Sequence, residues 1–435
     1  MLGLIKRINS RVDSHMREVI GSAIVVMPMK AVAAVLQFTL SLALAWIYGA
    51  EGAGMFFLAY TLTMMTATIS LVGFSNVVVR HTASFKALDQ TEAVYSVYKT
   101  AVVTVLATSF TAAVIVYGLG PLIAPAIVDN AGLSNVLPLL FIALPMMALV
   151  MIHAEMLRGA GQLAGSILIQ SIVIPFATIA GALWLGKSSG AEGAIMAFAV
   201  ATAVAMFIGA ILWRQCATPS AAWFSLRSLL DSSLPLLVVV VCNQLISWAP
   251  LLLLGVFESR AIVGVYGVAD RVAMAITLVL YAMNILLAPK LAALHKLDDT
   301  RALEKVARHT AGIVTIFALP VAVGLTLFPT EVLGVFGDEF KIGAFALIVL
   351  AVAQLINVAT GSVGLVLMMT ANERALRNNV AFAGVLCLIV AIALIPPYGL
   401  EGAAIATAVG VIAKNIASLV YVRRRLGLRI VPFFP

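Results

Sequence analysis

Gly54–Met65 reads GMFFLAYTLTMM, and 210 residues further on Gly264–Ala275 reads GVYGVADRVAMA. The two stretches align without a gap, and the register continues past them. It lays Arg80 on Lys290, Lys86 on Lys296, Asp89 on Asp299 and Thr100-Ala101 on Thr310-Ala311. A shift of 209 likewise sets AEGAIMAFAVA from Ala191 on LEGAAIATAVG from Leu400. Small-residue apolar helices resemble one another by composition alone, but coincident basic and acidic connections do not follow from composition. The chain therefore carries an internal repeat.

The surrounding residues say what is repeated. Of 435 residues 63% are hydrophobic and only 11% charged, against ~25% charged in ordinary soluble proteins, so the bilayer is this chain's solvent. Apolar runs separated by Gly, Pro and charged punctuation predict spans at 20–47, 53–75, 98–127, 134–157, 165–186, 193–213, 233–256, 261–288, 310–335, 343–369, 378–396 and 401–422. With the N-terminus inside, 21 of the 27 Lys and Arg collect on the inner side. The outer connections hold only Lys187, Arg260 and Lys341, with eight acids: Glu51, Asp129, Glu192, Glu258, Glu331, Asp338, Glu339 and Glu401. That asymmetry satisfies the positive-inside rule for twelve spans with both termini cytoplasmic. Because the shift crosses six spans, the halves share one membrane orientation, which is a parallel repeat about an axis along the membrane normal.

The expected fold is thus an all-α integral membrane protein of about twelve helices in two pseudo-symmetric six-helix lobes. Residues 1–19 form a basic segment, 20–213 the N-lobe, 214–232 a cytoplasmic linker, 233–422 the C-lobe and 423–435 a basic tail. In the first segment Ile5, Ile8, Val12, Met16 and Val19 recur at helical spacing, which fits a helix lying on headgroups; a disordered basic start fits as well. Cys216, Cys242 and Cys387 are too scattered for a disulfide framework or metal ligands and read as packing residues.

Enzymatic chemistry finds no footing. Gly181–Ser188 matches a phosphate-loop pattern, but its middle residues finish a membrane helix on the outer side, with no preceding strand. Gly159-Ala-Gly161-Gln-Leu-Ala164 imitates a dinucleotide fingerprint between two apolar helices, where its glycines suit close packing. No paired carboxylates, His-Glu-x-x-His or Cys/His cluster appears, so no catalytic residue, metal, nucleotide, nucleic acid or resident cofactor is expected.

What remains is charge inside the spans. Lys30 and Arg271 each lie ten residues from a span end, ~15 Å deep, and Lys414 somewhat nearer the cytoplasm. A cation facing lipid costs ~2.5–3.5 kcal/mol or more, so each should face protein or a wet cavity. Asp270 is the one acid deep within a span and points ~100° away from Arg271, its neighbour in sequence. One acid cannot neutralise three cations, which favours a cationic cavity for an anionic passenger over buried ion pairs. Gln37, two turns from Lys30 on the same face, Asn243 and Gln244 with Ser247, and Gln354 with Asn357 are candidate cavity residues or helix-packing groups. Pro28, Pro145, Pro175, Pro235, Pro250 and Pro320 mark bends, which serve gates and rigid kinks alike.

Several stretches resemble a known family: YGAEGAGMFFLAYTLTMMTATISLVGFSNVVVRHTA from Tyr48, RGAGQ from Arg158, GVYGVADRVAMA, APKLAAL from Ala288 and VFGDEF from Val335. They are similar to the polysaccharide transporter family, which contains the O-antigen and exopolysaccharide flippases, within the larger superfamily of multidrug, oligosaccharidyl-lipid and polysaccharide exporters. The resemblance implies two lobes around a V-shaped cavity. It further implies export of a polyprenyl-diphosphate-linked oligosaccharide, such as an O-antigen, exopolysaccharide or capsule unit, across a bacterial inner membrane by alternating access. Arg271, within ADRV, matches a position where a cavity-facing arginine is usual in related lipid flippases. Two departures stand out: the extra C-terminal helices of peptidoglycan-precursor flippases are not found, and the acid typical of the first span in cation-coupled drug exporters is replaced by Lys30. A drug or metabolite exporter coupled to H+ or Na+ is the alternative, and a scaffold for polysaccharide assembly a third. Expected partners are the lipid-linked oligosaccharide, membrane lipids and the polymerase and chain-length machinery.

Overall fold

The computed structural model describes residues 2–123 and 132–431, with side-chain surroundings from Val25 onward except at 121–135, 187, 235, 236, 286 and 289. The packing of segment 1–19, Asp129 and the side chains of Lys187 and Pro235 lie outside the described residues. Among those described, all regular structure is helical. Ten stretches are long and apolar enough to cross a bilayer, and two of them, in α1 (Leu2–Ser70) and α15 (Glu373–Arg425), run for 46 and 53 residues. As straight helices these would be ~70–80 Å long, more than twice the hydrocarbon thickness of ~30 Å. Each instead turns at a left-handed glycine, Gly49 (φ 69°) and Gly399 (φ 50°), a conformation that side chains with a Cβ resist. Beyond the second turn the reversal is direct: a Cβ on Gly402 would lie 2.9 Å from the amide nitrogen of Ile395, which a continuous helix holds ~10 Å away. The ten stretches thus make twelve crossings.

The N-lobe consists of α1, α2 (Phe74–Ala87), α3 (Thr91–Ile123), α4 (Gly132–Gly159), α5 (Leu163–Ile167), α6 (Ile174–Leu185) and α7 (Gly190–Trp213), with α5 and α6 joined through a π-helical turn into one crossing. The C-lobe consists of α8 (Leu226–Phe257), α9 (Arg260–Met274), α10 (Leu278–Lys296), α11 (Thr300–Leu327), α12 (Pro329–Gly334), α13 (Ala344–Ala359), α14 (Val363–Met369) and α15. An even number of crossings returns the chain to its starting face, the terminal face; the opposite one is the distal face. Three details depart from the sequence reading. Helix α8 starts at Leu226, inside the expected linker, because Ser225 caps it by accepting from Ser228 N–H. The tenth crossing breaks at Thr360–Ser362, where Gly361 is left-handed and the Ser362 hydroxyl bonds Asn284 on α10. Within the expected basic tail, of which residues up to 431 are described, Leu428 and Ile430 are buried against Leu287, Leu291, Val366 and Leu367, while Arg429 stays exposed.

The linker is fastened rather than free. The Thr100 hydroxyl donates to the Phe224 carbonyl and accepts from the Phe224 N–H, both at 3.1 Å, and Lys99 stacks over Trp223 at 4.1 Å. In the fourth crossing Gly159 packs on α2, where a Cβ would lie 2.9 Å from the Val79 carbonyl oxygen, whereas Gly161 has nothing within 4 Å and serves a left-handed turn (φ 80°). Phe207, Ile211, Phe317, Phe382 and Ile389 are exposed, which in this chain means facing acyl chains rather than water.

The repeat is visible in three dimensions at the pair that aligns it. A Cβ on Gly54 would collide with the Arg260 carbonyl oxygen and lie 2.8 Å from the Gly264 nitrogen. A Cβ on Gly264 would collide with the Ala50 carbonyl oxygen and lie 2.9 Å from the Gly54 nitrogen. Since Ala50 aligns on Arg260 as Gly54 does on Gly264, the contact is reciprocal, the signature of a two-fold axis between α1 and α9. The two lobes meet there backbone to backbone.

Candidate functional site

Above this glycine pair the distal ends of the lobes are sealed. Trp46 Nε1 donates to the Val335 carbonyl at 2.8 Å, Ala50 N–H to Glu339 Oε1 at 2.7 Å, and Arg260 lies 3.8 Å from Glu51. Phe38 meets Phe336 edge-on with centroids 5.5 Å apart. Each of these contacts joins the N-lobe to the C-lobe.

Toward the terminal face the lobes uncover two surfaces. Between Val25 and Thr39 on α1 only Val26 and Ala33 are buried, while Lys30, Val32, Val35 and Gln37 are exposed. Opposite, Met274, Leu278, Tyr281 and Ile285 are exposed at helical spacing below Asp270. Tyr281 is 63% exposed on this stripe. The walls are apolar with isolated polar groups, a surface fitted to an amphiphile.

The predicted site residues fall into three groups rather than one. At the apex, beneath the glycine pair, half-buried Arg271 projects from α9. Its Nη1 donates to its own helix at the Gly267 carbonyl, 2.9 Å away, and its guanidinium carbon lies 3.8 Å from the Phe57 ring centroid and 5.9 Å from that of Tyr60. Gln37 lies beside the Tyr60 hydroxyl, and Asp270 is half-buried near the hydroxyls of Tyr266 and Tyr281. The second group is internal to the C-lobe. Asn415 donates to Asn357 at 2.9 Å and Asn357 to Gln354 at 3.0 Å, tying α15 to α13; Lys414 is half-buried on the preceding position of α15. Third, Lys30 lies seven residues below Gln37, ~10 Å nearer the terminal face, within electrostatic range of Arg158 at the end of α4. Gln244 joins none of these; its amide donates to the Thr68 hydroxyl at 3.4 Å across the lobe seam, and Asn243 is exposed on α8.

Charge pairing separates the cations. Arg158 pairs with Glu155, one turn away. Among the described residues no carboxylate forms an ion pair with Lys30, Arg271 or Lys414. Sequence reasoning missed Phe57, Tyr60, Arg158 and Asn415. The repeat held a pointer to one of them: Tyr60 aligns on Asp270, and Thr61 on Arg271.

This architecture, two six-crossing lobes sealed at the distal face, touching again toward the terminal face where a Cβ on Gly73 would lie 3.0 Å from the Leu237 nitrogen, and holding cations without ion-pair partners among the described residues, defines a membrane protein of the two-lobe transporter fold. A family profile described as "Polysaccharide biosynthesis protein" matches residues 44–344, and the chain belongs to that family. Among curated proteins it is 25% identical over 204 residues to the probable low-salt glycan biosynthesis flippase Agl15 of Haloferax volcanii, covering 47% of this chain and 43% of that one. It is 26% identical over 181 residues to the probable flippase AglR of the same organism, covering 41% and 37%. The matched region thus spans less than half the length of these relatives. In fold it resembles the lipid II flippase MurJ in an inward closed conformation, with a TM-score of 0.77 and 13% identity over 92% of this chain and 87% of that one. It resembles an inward-facing multidrug resistance MATE family transporter similarly, with a TM-score of 0.74 and 16% identity over 93% and 98%.

Proposed function

We propose that the protein is a flippase for polyprenyl-diphosphate-linked oligosaccharide in the inner membrane of a bacterium, with its terminal face cytoplasmic. The observation that carries this reading is an apolar-walled cleft whose cations, Arg271 at the apex and Lys30 lower down, form no ion pair with a carboxylate among the described residues. A diphosphate-linked sugar cannot cross hydrocarbon unaided, because its charges and hydroxyls would lose hydration. The cleft takes the headgroup while the polyprenyl chain stays in lipid. Rocking of the lobes about the Gly54–Gly264 contact then exchanges access between the two faces without bond chemistry. An H+ or Na+ gradient, the membrane potential or consumption of product outside drives it.

Depleting the protein is expected to accumulate the lipid-linked oligosaccharide on the cytoplasmic leaflet and abolish surface polysaccharide. Unchanged precursor and polymer together with altered drug sensitivity would instead establish the exporter reading. Orientation has its own test. In a background lacking Cys216, Cys242 and Cys387, cysteines replacing Lys187, Arg260 and Lys341 should react with an impermeant maleimide in intact cells. Those replacing Arg80, Lys290 and Arg425 should react only after permeabilisation, and labelling of position 290 in intact cells would invert the assignment.

A further inference from the structure

Arg271 does not hold itself in place. We infer that Phe57, from the opposite lobe, is the positioning residue that aims the Arg271 guanidinium into the cleft, and that the aim is tied to closure of the lobe seam. This rests on the proposed binding of a diphosphate by Arg271. The seat for the ring is Gly267: a Cβ there would lie 2.9 Å from Phe57 Cε2, so the absent side chain leaves the space the ring occupies. Phe57 is 1% exposed, and its ring meets that of its neighbour Phe56 edge-on at 6.0 Å. Its face then supports the guanidinium carbon at 3.8 Å. One guanidinium face is covered by the ring and one N–H is taken by the Gly267 carbonyl, which leaves the remaining donors of the planar fork for a ligand in the cleft.

The platform belongs to the N-lobe and the arginine to the C-lobe, and the helices carrying them touch at Gly54 and Gly264, one turn above. Parting α1 from α9 therefore withdraws the ring from beneath the guanidinium. A fork held in plane binds two phosphate oxygens at once, whereas a freely rotating one pays for its own ordering. The site grips a diphosphate while the distal seal is closed and loosens when it opens.

The test uses full-length protein in detergent and farnesyl diphosphate as a soluble probe, with affinity read by calorimetry. Phe57→Leu keeps apolar bulk but removes the ring face and should weaken binding about tenfold, whereas Phe57→Tyr should stay within about twofold of the parent. In an Arg271→Gln background Phe57→Leu should cost nothing further; an equal loss there would show that Phe57 does not act through Arg271 and would overturn the inference. If the parent fails to bind the probe, the diphosphate reading itself falls. The shelf is then judged without ligand, by the thermal unfolding midpoints of the two single variants and the double. Midpoint shifts that fall short of adding support the contact, and strictly additive shifts overturn it.

Discussion

Gly54→Ala and Gly264→Ala are expected to force the distal seal apart, and to do so equally. Each new methyl would enter space held by backbone of the other lobe, the Arg260 carbonyl in one case and the Ala50 carbonyl in the other. Backbone cannot swing aside as a flexible side chain can, so the only relief is separation of α1 from α9. Overpacking typically costs about 1–3 kcal/mol, which corresponds to a five- to 150-fold shift away from the sealed state. The reciprocity of the contact makes the equality a prediction in its own right, because either methyl strains the same axis. Gly118 and Gly324 are helical glycines with nothing within 4 Å of a Cβ, so alanine there should be neutral or mildly stabilising. Spin labels at Ser188 and Tyr398, exposed positions on the two lobes' distal edges, read the separation directly. Parent-like distances in Gly54→Ala, or a marked difference between the two variants, would remove the axis as the pivot of motion.

The axis was legible in the sequence because it lies where two aligned stretches each place glycine, and the polar connections fix that alignment. The cations were legible because a charge inside a hydrocarbon run is costly and conspicuous. Other features left no local trace. Phe57 sits in an apolar run where lipid-facing and core-facing residues are alike hydrophobic, so no periodicity marks the ring that meets an arginine 214 positions later. The proximity of Lys30 to Arg158 and the Asn415–Asn357–Gln354 chain likewise depend on contacts between distant segments. The merging of the first two crossings into α1 hid nothing: Gly49 was already punctuation. The break at Gly361 was missed because Thr360 and Ser362 are tolerated in membrane helices, and only the partner on α10 shows that the chain turns there.

Removing the charge of Arg271 is expected to abolish transport while leaving the folded protein in the membrane, and removing that of Arg158 to do the opposite. The difference lies in what each leaves behind. Arg158 pairs with Glu155, whose side chain is only 16% exposed, so Arg158→Gln strands a carboxylate. Because Arg158 itself is 45% exposed, solvent screens part of the loss, and stranding the Glu155 carboxylate costs about 1–3 kcal/mol, read as a lower folded yield. Adding Glu155→Gln should restore the yield. Arg271 has no carboxylate partner among the described residues, and its polar contact is its own helix carbonyl. Arg271→Gln breaks no ion pair at contact distance, so yield should hold while the attraction for a diphosphate is lost. Arg271→Lys should retain part of the activity, since the charge survives but the planar fork does not. Lys30→Gln should behave as Arg271→Gln does, with a smaller loss, because Lys30 lies lower in the cleft and has no aromatic platform among the described residues. The measurement is flipping of lipid-linked oligosaccharide per detergent-stable molecule. Normal specific transport in both Lys30→Gln and Arg271→Gln would remove the cationic cleft as the mechanism. A collapse of folded Arg271→Gln protein would show instead that the arginine pairs with Asp270 after all, and serves the fold.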